Sequence, residues 1–218
     1  MDLSTDSIAW LVRRDGSAVV GHGPFETTST APASGVAFYR QDFALGDSQP
    51  WKTPAHSEVV SPNELAKLLS TKATANVSWD PLDAAPFSEV FQEALTAIHA
   101  GVFEKSVPVV TETGTADAHP GRMIAAAMCR KTAPLHSYGW LERDRGFSGA
   151  TPELLVSIDG RTLETMALAG TARSEDRDVF AVDEKEIREH EYVAQTLVSK
   201  LLDLGTLHRH SREILDLG

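Results

Sequence analysis

Short β-prone runs joined by tight-turn residues are the feature that most limits what this chain can fold into. Residues 8–12 and 18–20 flank Arg14-Asp15-Gly16-Ser17, residues 135–141 and 145–149 flank Arg143-Asp144, and residues 154–158 and 162–167 flank Asp159-Gly160. Connections this short join antiparallel neighbours, and Asp-Gly supplies the positive φ that two-residue hairpins need. A further β-like run occupies residues 35–40 and continues to Phe43, and residues 104–113 are β-branched and alternating, which predicts a strand carrying Lys105. Helices are fewer. Ser61-Pro62-Asn63-Glu64 has the pattern of an N-cap with a capping box and predicts a short helix to about Leu69. Phe87, Val90, Phe91, Ala94, Leu95 and Ile98 recur at helical spacing before Gly101, a C-cap glycine. Pro120 opens another helix with residues 123–128 as its buried side, and a long one runs from about Asp183 to Leu204, ending at Gly205. Residues 206–218 suggest no element. Strands outnumber helices, so the predicted class is α+β, with antiparallel sheets flanked by helices. The polar, proline-flanked stretch 71–86 reads as a linker between a mostly β region, 1–80, and a second region, 84–218.

Apolar residues make up 42% of the chain, enough for one sizeable core. Twenty basic side chains against 31 acidic ones leave a net charge of −11. Nothing there could neutralise many phosphates, so no nucleic-acid or anionic-membrane partner is expected. The single cysteine, Cys129, excludes an internal disulfide framework and a multi-thiol zinc site, and it reads as core. No apolar run approaches bilayer-spanning length, and Asp2 and Asp6 precede the first apolar stretch, unlike a secretory signal. A cytoplasmic protein is expected.

Some side chains suit chemistry, each with a plainer alternative. Glu186 and Glu189, three apart on the last helix, project from one face beside an apolar stripe of Val193, Leu197 and Leu201. They suit either a solvated, salt-bridged helix start favoured by the helix dipole or a two-carboxylate site for Mg²⁺, which takes oxygen ligands and keeps waters. Lys105, among Val102, Phe103 and Val107, is either a desolvated general base or a snorkelling lysine. Glu153, between Pro152 and Leu154-Leu155-Val156, is either a carboxyl kept protonated as a general acid or an exposed glutamate at a strand start. The turn at Ala169-Gly170-Thr171 either offers backbone N–H groups to an anion or simply ends a hairpin strand. The eight histidines show no metal spacing; His190 reads as a surface or supporting residue, and His208 and His210 as surface.

Taken in order, these segments resemble the chorismate-utilising enzymes: isochorismate synthases, salicylate synthases, anthranilate synthase large subunits and aminodeoxychorismate synthases. The resemblance rests on the helix at 87–101 followed by Phe103-Glu-Lys-Ser-Val-Pro108, then Ser148-Gly-Ala-Thr-Pro-Glu-Leu-Leu155, then residues 159–171 ending Leu168-Ala-Gly-Thr171, and last Lys185-Glu-Ile-Arg-Glu-His-Glu-Tyr-Val193. It covers residues 84–205; the first 80 residues fit the family's variable N-terminal sheet loosely.

The resemblance implies that Lys105 activates water for attack at C2 of chorismate and that Glu153 protonates the departing C4 hydroxyl. It implies that the loop of Ala169, Gly170 and Thr171 helps bind a substrate carboxylate, and that Glu186 and Glu189 are the first acidic pair around a Mg²⁺ cofactor. Anthranilate synthases typically carry glutamine where Lys105 stands, and aminodeoxychorismate synthases carry their attacking lysine where Ala169 stands. Isochorismate synthase is therefore the leading reading, with salicylate synthase sharing both features. An amine-transferring relative and a noncatalytic module of the same fold are the alternatives. Ala167 replaces the usual proline, and Ala172-Arg173-Ser174 departs from the usual basic tail of that loop. The resemblance also implies that about as much sequence again supplies a second acidic pair and further carboxylate contacts. A chain ending at Gly218 is accordingly expected to bind chorismate weakly or not at all, to be inactive alone, and to self-associate or pair with a missing C-terminal half.

Overall fold

A computed structural model describes residues 7–70, 75–118, 120–129, 134–143 and 145–217. Its centre is a six-stranded antiparallel sheet of β1 (Ile8–Val12), β2 (Ala18–Thr28), β3 (Phe38–Tyr39), β4 (Trp51–Val60), β7 (His136–Leu141) and β8 (Gly146–Thr151), in the order β3-β4-β2-β1-β7-β8. Two-stranded sheets pair β5 (Val77–Trp79) with β6 (Gly114–Ala116) and β9 (Ser157–Asp159) with β10 (Thr162–Glu164). The α+β class with antiparallel sheets is what the hairpin signals predict. All three hairpins form, although Asp144 lies outside the described residues and the third is reduced to three residues per strand.

The core follows from alternation. Ile8, Trp10 and Val12 point to one face of β1, where they meet Leu65, Ala66 and Leu69 of α1 (Pro62–Leu69) and Ala125 and Ala126 of α3 (Gly121–Met128). Trp10 donates its indole N–H to Ser137 Oγ at 3.0 Å, and Cys129 Sγ lies 3.4 Å from the same oxygen. Burial pushes the Cys129 thiol up, as befits a core position. On the opposite face Trp140 packs against Phe25 at 4.2 Å, with the Arg40 guanidinium 4.2 Å over its ring. Helix α1 starts where the capping pattern places it: Ser61 accepts from the Glu64 N–H while Glu64 accepts from the Ser61 N–H. Because β1 pairs with β7 and α1 packs on α3, the segments on either side of residues 80–84 share one sheet and one core; residues 71–74 of the expected linker lie outside the described residues.

Two expectations are corrected. Residues 104–113 form no strand: a β-run needs a partner along its length, and among the described residues it meets one only at its end, where Asp80 N–H donates to Thr113 O just before β6 begins. The run from residue 35 is a strand only at Phe38–Tyr39. Strand β4, which falls in the mostly β region 1–80, tolerates Pro54 opposite Phe25, where the β2 register shifts between His22 and Phe25.

Helix α2 (Ala85–His99) ends before Gly101, whose φ is +70°, but buries none of its residues. The last helices are α4 (Arg177–Val182), not foreseen from sequence, and α5 (Glu184–Leu201), extended by a 3-10 turn to Leu204. The following tail is irregular but tied down: Arg209 pairs with Glu191, Arg212 donates to Ala181 O at 3.0 Å, and Arg177 reaches Asp216 at 3.8 Å. No helix among the described residues is long and apolar enough to cross a membrane.

Candidate functional site

Asp183 caps α5, its carboxylate accepting from the Glu186 N–H at 3.0 Å. The cap places Glu186 in the first turn and Glu189 one turn on, where the dipole favours carboxylates. Glu186 is the more enclosed of the two side chains, 18% exposed against 30%. Lys185 lies on both: its Nζ is 2.9 Å from Glu186 Oε1 and 3.2 Å from Glu189 Oε1. The bond donated by Lys185, reinforced by the charge of Lys105, holds the Glu189 carboxyl below its ordinary range.

Two other predicted residues arrive from distant parts of the chain. Lys105 Nζ stands 3.5 Å from Glu189 Oε2, so it faces a carboxylate rather than an apolar wall. Gly170, at φ +82°, lies directly against Glu186: a Cβ there would sit 2.5 Å from Glu186 Oε2 and 3.0 Å from Phe180 Cζ. This close approach and the left-handed backbone both explain why glycine stands there. Ala169 is partly covered and Thr171 is exposed. Thr171, Phe180 and Glu186 line an open cavity of about 490 Å³ that also takes in Arg173.

Glu153 is not part of this cluster. It is exposed, and its one hydrogen bond among the described residues is from its backbone N–H to Thr151 Oγ1. Of the apolar neighbours that sequence assigned it, Leu155 and Val156 are exposed as well, while Leu154 is half-buried. Sequence reasoning gave Lys185 no role, although its i,i+4 spacing to Glu189 signals an ion pair. Phe180, which lies close beside Gly170, carries no such signal.

The donor set suits a hard divalent ion in part. Two carboxylates offer oxygen ligands, and Gly170 leaves open the space a side chain would fill beside Glu186. Among the described residues, no group of three or more His, Cys, Asp or Glu side chains is arranged to hold a metal. Waters would therefore have to complete the coordination.

A family model for chorismate binding enzymes matches residues 27–212. The chain belongs to the chorismate binding enzyme family. The match begins within β2 and ends in the tail after α5, so it takes in most of the central sheet as well as the stretch from residue 84. No curated protein and no solved structure matches the chain. In the cluster Lys105 and Lys185 are set against Glu186 and Glu189, and Arg173 lines the same open cavity as Glu186.

Proposed function

We propose that this member of the chorismate binding enzyme family is of the isochorismate synthase type, adding water at C2 of chorismate as the C4 hydroxyl leaves. Lys105, released from Glu189 as the neutral amine, takes the proton of the entering water and Glu153 gives one to the departing hydroxyl, so one water enters, another leaves, and the product is an isomer. The loop of Ala169, Gly170 and Thr171 cradles a substrate carboxylate, and Glu186 and Glu189 hold Mg²⁺. Bound there, the ion offsets the negative charge of the ring carboxylate. The observation that carries this reading is the meeting of Lys105 with Glu189 at 3.5 Å, which joins a basic group to the acidic pair beside the Gly170 loop. Lys105 in place of glutamine, and Ala169 in place of an attacking lysine, favour water over an amine as nucleophile.

The exposed position of Glu153 supports a second reading, a module that binds chorismate without converting it. On either reading the chain alone binds chorismate weakly, because the acid stands apart from the base and water is not excluded. The exposed apolar side chains of Val90, Phe91, Val102, Val107, Val109 and Val110 support self-association or pairing with more of the same fold.

Calorimetry with chorismate and Mg²⁺, followed by chromatography after long incubation with ammonium present, tests the proposal. Weak Mg²⁺-dependent binding that is lost in Glu186→Gln is expected, with isochorismate as any product. Anthranilate or aminodeoxychorismate would overturn the water-addition reading, and binding with no product at high protein concentration would favour the noncatalytic module.

A further inference from the structure

The two carboxylates of α5 are not free to take a divalent ion as they stand. One oxygen of each, Oε1, converges on the Lys185 ammonium at 2.9 and 3.2 Å. Their other oxygens are directed elsewhere: Glu186 Oε2 against Gly170 and Glu189 Oε2 toward Lys105. The oxygens through which both groups could share one cation are thus the ones that Lys185 already holds. Lys185 is also the most exposed member of the trio. Its side chain is 64% exposed, against 18% for Glu186 and 30% for Glu189, so it can swing into water while the acids keep their places.

We infer that Lys185 is a tethered cation that competes with the divalent ion for Glu186 and Glu189. This rests on the reading of those two residues as the Mg²⁺ pair. Lys185 keeps two like charges one helical turn apart from repelling each other, and it leaves both when a doubly charged ion takes its place. The lysine therefore sets how much divalent ion is needed to load the site.

Mn²⁺ binding to the full chain, read by electron paramagnetic resonance of the free ion and repeated with Mg²⁺ as competitor, tests the inference. Lys185→Gln should bind Mn²⁺ about fivefold more tightly than the natural chain, as expected for two partly exposed ion pairs removed together. Lys185→Arg, which can still bridge the acids, should stay near the natural affinity. Glu186→Gln should lose the site in either background, and circular dichroism would check that each variant is folded. Equal or weaker binding in Lys185→Gln overturns the competition, while the metal reading survives if Glu186→Gln still abolishes binding. Binding that ignores Glu186 in every variant overturns both.

Discussion

Lys105 and Glu189 meet at 3.5 Å between Nζ and Oε2, although one lies in an irregular segment after α2 and the other a turn and a half into α5. Each side chain is about three-tenths exposed, so the contact stabilises modestly, by less than about 1 kcal/mol. Its main effect is to place a basic group beside the acidic pair.

The pH dependence of that contact has a definite sign. The Glu189 carboxyl is held below its ordinary range by Lys185 and then by Lys105, so its stabilisation is fully present above the ordinary glutamate value, about 4.3, and is lost as pH falls through the lower folded value. Melting curves should show Glu189→Gln slightly less stable than the natural chain at pH 7 and indistinguishable from it near pH 2. A gap that persists in acid would contradict this.

Gly170 and Gly160 separate backbone strain from crowding. Both have positive φ, +82° and +57°, but a Cβ at Gly160 meets nothing within 4 Å. Gly160→Ala should cost about 1 kcal/mol and Gly170→Ala about 2–3 kcal/mol in urea denaturation, the excess coming from displaced Glu186 and Phe180. Equal costs would show that the approach to Glu186 is not what the glycine serves.

Ser137 is 1% exposed and accepts the Trp10 indole N–H across the β1–β7 joint. Ser137→Ala should leave that donor buried without a partner and cost about 1–3 kcal/mol. Ser61→Ala, which removes the cap of α1, should cost about 1 kcal/mol. Chemical denaturation of the two variants gives both numbers, and a smaller loss at Ser137 than at Ser61 would mean that water reaches the indole.

The arginines of the tail hold α4 and α5 from outside. Arg212 donates to Ala181 O and lies 5.9 Å over the Phe180 ring, and Phe180 in turn backs the Gly170 loop. Arg212→Ala should raise hydrogen exchange in residues 177–182 and 168–172 while shifting overall stability by no more than about 1–2 kcal/mol. Exchange unchanged at the Gly170 loop would show that Phe180 stays in place without its arginine.

Local chemistry made several elements legible in the sequence itself. The Ser61–Glu64 box needs only its own four residues, Asp159-Gly160 turns β9 into β10 unaided, and Glu186 and Glu189 share a face because helical spacing puts them there. The order of motifs along the chain was enough to indicate the chorismate-binding family. Tertiary structure decided what depends on partners distant in sequence. Residues 104–113 have the alternation of a strand but no neighbouring strand among the described residues, whereas β4, with Pro54 and a polar run, gains neighbours on both sides and forms. Lys105 reaches Glu189 and Glu153 stays in solvent for the same reason: spacing along a chain sets which residues share a face, but only packing sets which faces meet.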